Sequence, residues 1–385
     1  MRIGIDARPL SVPAAGVPRV VRGLVRELEK ADQANSYYLY SHRDFTLPFG
    51  NPRWHKRIGS RVSRLPGIVW FLTEGRRAIR EDNLDVFWSA MYIPHLALPS
   101  HVSTILTVHD LEWRLYPQTM SRKTYYAHRL LVWPSVQKAD WIISDSESTA
   151  RDLQLVLHLP ASRMEVIHLG VDSAYKPQDR LMAAEYVAGK YGVSKDYALA
   201  VGTVQPRKNL ATLVAAWKIL RDRTKDHFQL VVAGARGWKN TQLDETVRRL
   251  GLTGNEIRFL GVVPEEDLPV LYSGSGVFVF PSLYEGFGLP LVEAMACGIP
   301  VVASNTSSVP EVVGDAALLV SPTEPEAFAA AILRVRNDEN LRKALIEKGL
   351  SRAAGFSWGR AASQLLDCFG RVVAEKQGTR RPTTY

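Results

Sequence analysis

The sequence predicts an α/β protein of two Rossmann-like, doubly wound lobes, and three observations carry that prediction. Short apolar, β-branched runs alternate with longer segments of helical period along almost the whole chain. The strand-like runs are apolar throughout instead of alternating, the pattern of parallel strands covered by helices on both faces. With 385 residues, the chain exceeds one ordinary core and suits two domains of about 150–200 residues each.

In the first half, strands are expected at 3–5, 37–40, 86–88, 104–108, 141–143 and 166–167, with helices at 18–30, 68–80, 121–138 and 146–156 between them. In the second half the strands fall at 198–201, 229–233, 257–259, 276–280 and 300–303, again separated by helices. The turn-like residues Val171, Asp172 and Ser173, followed by Lys176 and Pro177, mark the boundary. The first lobe is therefore placed at 1–175 and the second at 190–355. A C-terminal helix follows at 356–376, entered at the N-cap residue Ser357. The polar, basic tail 377–385, interrupted by Pro382, is expected to be disordered.

Composition excludes several classes. The chain is 46% apolar and 23% charged, as soluble globular proteins are. Cys297 and Cys368 are the two cysteines, too few for a disulfide framework or a CxxC metal site, and they fit a reduced, cytosolic compartment. The opening MRIGIDARPL reads as a buried strand, not as the apolar core of a signal peptide. No run approaches the roughly 18 apolar residues of a membrane span.

The stretch 277–303, VFVFPSLYEGFGLPLVEAMACGIPVVA, is the most informative. A strand ends at Phe280, a loop carries Glu285, Gly286, Phe287 and Gly288, and a helix begins near Leu289 with Pro290 in its first turn. Proline is tolerated there because the first helical amides lack intrahelical partners. Those amides point outward at a positive helix end, where a phosphate or sugar oxygen can dock. Glu285 and Glu293 bracket them, and a carboxylate can accept hydrogen bonds from two vicinal hydroxyls. In the plainer alternative, Glu285 caps the helix and Glu293 lies on a solvated face.

In 200–210, AVGTVQPRKNL, a strand runs into Gly202 and Thr203, a proline turn follows, and Arg207 and Lys208 stand at the mouth of the next helix. Two cations at the carboxyl end of a parallel strand suit a diphosphate; solvated loop cations are the alternative. His109 stands at the carboxyl end of the strand 104–108, where a neutral imidazole can donate to a sugar hydroxyl or a developing oxyanion. Gly16 lies in the loop after the first strand, ahead of a helix, a placement common in any fold.

Together these strings resemble the retaining, two-domain nucleotide-sugar glycosyltransferases of the family-four type, whose signature is Glu-x7-Glu. The resemblance spans nearly the whole chain and is strongest from 198 to about 321, including VPEV at 309–312. It implies the GT-B architecture, with the active site in a cleft between the lobes and a C-terminal helix crossing back onto the first. The second lobe would bind the nucleotide sugar and the first the acceptor. Carried over position by position, Glu285 and the amides around Gly286, Phe287, Gly288 and Leu289 hold the donor sugar, and Glu293 grips the ribose. Arg207 and Lys208 neutralise the leaving diphosphate, Gly202 and Thr203 belong to the donor loop, Gly16 lets the diphosphate approach, and His109 lies against the donor sugar. Many members have arginine directly after the glycine where this chain has Thr203, so that phosphate contact falls to Arg207 or elsewhere.

The resemblance further implies transfer with retention of anomeric configuration. No carboxylate nucleophile is evident, because Glu285 in the family contacts a hydroxyl, so departure and attack share one face and the diphosphate takes the acceptor proton. No cofactor is called for. No zinc spacing appears among nine histidines and two cysteines, and no Asp-x-Asp stands where a metal would hold a diphosphate, so a metal-independent reaction is expected. Residues 168–172, 206–209 and 237–238 look most like members that use GDP-mannose in cell-surface polysaccharide assembly. The expected acceptor is a glycan or lipid-linked glycan. The alternatives are a UDP-sugar-dependent transferase, a nucleotide-sugar epimerase of the same fold, and a non-catalytic nucleotide-sugar-binding protein.

Charge is concentrated in one place. Between 53 and 80 there are eight cations against one acid, Glu74, which is +7 of the chain's net +9. Trp54, Ile58, Val62, Leu65, Ile68, Trp70 and Phe71 are interleaved with them. Basic residues mixed with Trp and Phe suit an anionic membrane surface, which places the protein in the cytoplasm, peripheral at the inner leaflet. Nucleic acid would accept the same composition, but no nucleic-acid motif accompanies it. The alternative puts the aromatics in the core and leaves the cations as an ordinary solvated face.

Overall fold

The computed structural model describes residues 1–12, 16–47, 49–59, 67–93, 95–224, 228–238 and 241–378. Among them the chain forms two compact units, each around one parallel sheet. The first unit takes Met1–Leu111, Arg122–Gly170 and the stretch from Trp358 onward; the second takes Glu112–Ser121 and Val171–Ser357.

The first sheet holds β1 (Arg2–Asp6), β2 (Ser36–Ser41), β3 (Trp54–Ile58), β4 (Val86–Ser89), β5 (Ser103–Val108), β6 (Trp141–Ser144) and β7 (Met164–Val166), in the order β3-β2-β1-β4-β5-β6-β7. The second holds β8 (Tyr197–Val201), β9 (Gln229–Ala233), β10 (Ile257–Gly261), β11 (Val277–Phe280), β12 (Val301–Ser304) and β13 (Ala317–Val320), in the order β10-β9-β8-β11-β12-β13. The described pairings are all parallel. The central strands are apolar on both faces because both are covered: Ile3, Ile5, Phe87, Trp88, Ile105 and Leu106 are all buried. In each sheet the strand order reverses beside the first strand, between β1 and β4 and between β8 and β11. The carboxyl ends of strands at such a switch point are where ligands of open parallel sheets bind.

Two strands were not expected. β3, sequence WHKRI, reads as part of a basic surface, yet it pairs with β2 along its length as a charged edge strand. β13 closes the opposite edge of the second sheet. The helices expected at 68–80 and 121–138 form, but each carries one π-helical turn, at Phe71–Gly75 and His128–Val132. The last helix, Trp358–Gly378, belongs to the first unit, where it packs against the helix Val17–Ala31 and its Trp358 ring lies against Gly23. Of the tail expected to be disordered, Gln377 and Gly378 end this helix and 379–385 lie outside the described residues.

The aromatic half of the basic segment is core. Trp54, Trp70 and Phe71 are buried, with Tyr37 stacked on Trp54 at 4.0 Å between ring centroids. Arg57 forks onto the buried Asp82, with Nε 2.9 Å from Oδ2 and Nη2 2.5 Å from Oδ1. Lys56 pairs with Asp44. What remains exposed is Lys56 and a helical stretch carrying Val69, Leu72, Thr73, Glu74, Arg76, Arg77 and Arg80, with Arg77 paired to Glu81. Arg61, Val62, Arg64 and Leu65 lie outside the described residues. Among the described residues no helix is long and apolar enough to cross a membrane.

Candidate active site

The second unit gathers the charged residues at the carboxyl ends of β8 and β11. After β8 the chain passes Gly202 and Thr203 and enters a single 3-10 turn, Pro206–Lys208. Asn209 ends that turn in a left-handed conformation (φ 54°). Its side-chain amide donates to the carbonyls of Pro281 and Pro322 at 2.9 and 2.7 Å, which ties the turn to the loops after β11 and β13. Arg207 and Lys208 are thereby held facing Glu285. Lys208 Nζ lies 2.6 Å from Glu285 Oε1, and Arg207 Nη1 donates to Glu285 Oε2 at 2.8 Å and to the Tyr284 carbonyl at 2.7 Å. Glu285 is buried, which by itself would raise its pKa, but the charges of Arg207 and Lys208 outweigh burial and hold it down at about 2. It is ionised at any physiological pH, and a carboxylate paired to two cations is a poor nucleophile.

The loop that presents Glu285 is stapled from below. The Ser308 hydroxyl donates to the carbonyls of Glu285 and Phe287, both at 2.9 Å, and the Glu285 amide donates to Ser307 Oγ at 2.9 Å. Phe287 is buried edge-on to Phe356. Gly288 then turns the chain into the helix Leu289–Ala296 with φ 104°, a conformation side-chain-bearing residues rarely adopt. Gly286 is buried in the same loop. Glu293 lies inside the helix and is buried too, accepting the Tyr272 hydroxyl at 2.9 Å. The solvated-face alternative for Glu293 is thus set aside, and so is a mere helix cap for Glu285.

Across the strand ends, the loop after β9 packs onto the loop after β8. Gly234 has φ 151°, and a Cβ there would stand 2.0 Å from the Gly202 carbonyl oxygen. The Val204 amide donates to the Ala235 carbonyl and the Gly237 amide to the Val204 carbonyl.

A short segment from the first half of the sequence completes this unit. Within Glu112–Ser121, Glu112 is buried, with Oε2 3.2 Å from Arg207 Nε and Oε1 accepting the Thr119 hydroxyl at 2.8 Å. The Thr119 carbonyl accepts Trp238 Nε1 at 2.6 Å, and Tyr116 stacks on Tyr284 at 5.3 Å.

His109 and Gly16 belong to the first unit. His109 follows β5 and Asp145 follows the neighbouring β6; Nδ1 lies 2.6 Å from Asp145 Oδ2, and Nε2 lies 3.1 Å from the Ala90 carbonyl oxygen. Both partners are acceptors, an arrangement that favours the protonated ring. Burial pulls its pKa down, but Asp145, with a smaller contribution from Asp110, outweighs burial and raises it. The surroundings favour the protonated form over the neutral ring expected from sequence. Gly16, with φ 58°, enters the helix Val17–Ala31.

Of the residues singled out from sequence, the fold brings Gly202, Arg207, Lys208 and Glu285 into one cluster, with Thr203 in the adjoining loop and Gly286, Phe287, Gly288 and Leu289 forming its wall. Glu293 is tied instead to Tyr272, and His109 and Gly16 stand in the other unit. Glu112, Asp145 and the Ser307–Ser308 staple were missed. Asp145 could have been found by the rule that points to His109, since it directly follows an apolar strand. Nothing in the local sequence marks Glu112.

Two family models match this chain: "Glycosyltransferase Family 4" over residues 14–175 and "Glycosyl transferases group 1" over 190–352. The chain is 32% identical over 382 residues to the O-antigen chain mannosyltransferase B of Escherichia coli, covering 96% of this chain and 99% of that one. It is 28% identical over 286 residues to the serotype-specific mannosyltransferase WbdA of E. coli, 72% of this chain and 34% of that longer one. In fold it is similar to sucrose-phosphate synthase from Thermosynechococcus elongatus, with a TM-score of 0.78 and 23% identity over 97% of this chain and 99% of that one. With both lobes matched and a full-length relative at 32% identity, the chain belongs to the family 4 glycosyltransferases, built on the GT-B fold.

Proposed function

We propose that this glycosyltransferase moves mannose from GDP-mannose, with retention of configuration, to a saccharide or lipid-linked saccharide acceptor in cell-surface glycan assembly. The observation that carries the reading is Glu285 ionised between Arg207 and Lys208 at the strand-order reversal of the second sheet. That arrangement supplies an acceptor for sugar hydroxyls and positive charge for a departing diphosphate. Mannose is supported by the full-length relative, a mannosyltransferase by name.

In this reading Glu285 and the amides of Phe287 to Leu289 hold the sugar, and Glu293 holds the ribose. Gly16, Gly202 and Thr203 let the diphosphate approach, and His109 offers the donor sugar the Nε2–H that faces the Ala90 carbonyl in this structure. Catalysis is positioning plus electrostatics. The bond from the anomeric carbon to the diphosphate oxygen breaks while the acceptor oxygen bonds to the same face. The acceptor proton passes to the departing diphosphate. The double pairing of Glu285 favours this course over a covalent glycosyl-enzyme, and none of these steps calls on a metal.

Mass spectrometry of separate reactions with GDP-mannose, UDP-glucose and UDP-N-acetylglucosamine tests donor and turnover together. Transfer or slow hydrolysis with GDP-mannose alone is expected; turnover confined to a UDP-sugar overturns the donor assignment.

Attachment to an anionic inner leaflet is supported by the exposed helical stretch carrying Val69, Leu72, Arg76, Arg77 and Arg80. Co-sedimentation should appear with anionic but not neutral vesicles and drop in a variant with Arg76→Glu and Arg80→Glu. Indifference to lipid charge leaves a soluble acceptor.

A further inference from the structure

We propose that Glu112 is a positioning residue of the donor site. It anchors Arg207 as a fixed support for Glu285 and so leaves Lys208 as the cation that passes to an incoming diphosphate. The proposal rests on the donor-site reading above.

The argument begins with charge. Glu112 and Glu285 are buried carboxylates facing Arg207 and Lys208, so these four side chains sum to zero. A diphosphate entering a neutral set gains a full charge–charge contact there only by taking a cation from a carboxylate. Glu285 does not yield by protonation, since it is held ionised to about 2. One of its two ion pairs must therefore exchange.

Geometry chooses which. Lys208 meets Glu285 through a compact ammonium on a flexible stem. Arg207 is a rigid planar fork held from two chain segments: the Tyr284 carbonyl and Glu285 carboxylate on one, and on the other Glu112, ion-paired to it at 3.2 Å. Glu112 is itself fixed, because its other oxygen accepts the Thr119 hydroxyl and the Thr119 carbonyl accepts the Trp238 indole. Moving Arg207 would disturb all of these; moving Lys208 trades its bond to Glu285 and its contact with the Phe280 ring, 5.0 Å away, for a bond to the diphosphate. With Lys208 gone to the anion, Arg207 keeps Glu285 oriented toward the sugar.

Glu112→Gln tests this by keeping size and hydrogen-bonding capacity while removing the charge that holds Arg207. Turnover is measured with the donor the wild type uses, and affinity for the matching nucleoside diphosphate (GDP for GDP-mannose) by calorimetry. Expected is a fall of about ten- to a hundredfold in kcat, as for loss of preorganisation at a reacting centre. GDP affinity should hold within about threefold or tighten, because the freed Arg207 becomes available to the anion. Glu112→Asp should recover part of kcat. Thr119→Val, which removes the hydroxyl partner and leaves the charge, should show the same split more weakly, and is the variant read if Glu112→Gln fails to fold. An unchanged kcat, or parallel loss of kcat and GDP affinity in the folded variants, overturns the proposal. A wild type that turns over no nucleotide sugar and binds no nucleoside diphosphate overturns the donor-site reading and this proposal with it; a working wild type with unsplit variants overturns this one alone.

Discussion

Lys208→Ala removes the cation assigned to the leaving group, and the loss of one preorganised charge at a developing anion costs about 2.7–4 kcal/mol. Turnover should fall by about two to three orders of magnitude, with the circular dichroism spectrum unchanged; near-wild-type turnover in a folded variant would remove Lys208 from the mechanism. His109 makes a second prediction. Its pKa is raised, so its charge and its contribution to stability are full below the ordinary 6.5 and are lost as pH rises through the elevated value. Imidazole signals followed by NMR should place the His109 titration above 6.5 in the wild type and lower in Asp145→Asn, with kcat/KM declining over the same alkaline range; a His109 titration below 6.5 in the wild type contradicts the imidazolium. At this scale legibility was uneven. Arg207, Lys208, Glu285 and Glu293 were readable because their spacing along the chain is itself the pattern. Glu112 was not, because its partner Arg207 is 95 residues away, whereas Asp145 was marked by its place after a strand and only its pairing with His109, 36 residues away, was hidden.

The elements fold from the same apolar periodicity that revealed them, and the misreadings lie at sheet edges. β3 carries His55, Lys56 and Arg57 because an edge strand has one face of its ladder open to solvent and charge there discourages pairing with another chain. The same charges disguised it as a surface segment. The buried tryptophans beside it misled in the opposite direction, since Trp70 and Arg76 share one helical stretch while pointing to different environments. The loops at the strand ends offer the element-scale test. Gly234→Ala sets a Cβ against the Gly202 carbonyl at a backbone angle that alanine rarely adopts. A stability loss of about 1–3 kcal/mol is expected in chemical denaturation, together with weakened nucleoside diphosphate binding if the loop of the displaced carbonyl admits the diphosphate as proposed. A variant as stable as wild type would mean that the two loops separate freely.

At the scale of the whole molecule, strand–helix alternation was enough to reveal two parallel sheets, but not how the chain is shared between the units. Glu112–Ser121 joins the second unit from the middle of the first unit's sequence, and Trp358–Gly378 joins the first unit after the second is complete. Both exchanges depend on contacts between residues far apart, which periodicity does not encode. The late exchange bears on how the protein is made. A ribosome delivers β1 first, yet the first unit lacks the helix that covers Gly23 until Trp358 and the residues after it have left the exit tunnel. The second unit has nearly all of its chain by Ser357. Maturation should therefore run against the direction of synthesis. In nascent chains stalled with 357 residues outside the tunnel, limited proteolysis should find the second unit resistant and the first still open to cleavage, and protection of the first should arrive only as the final helix emerges.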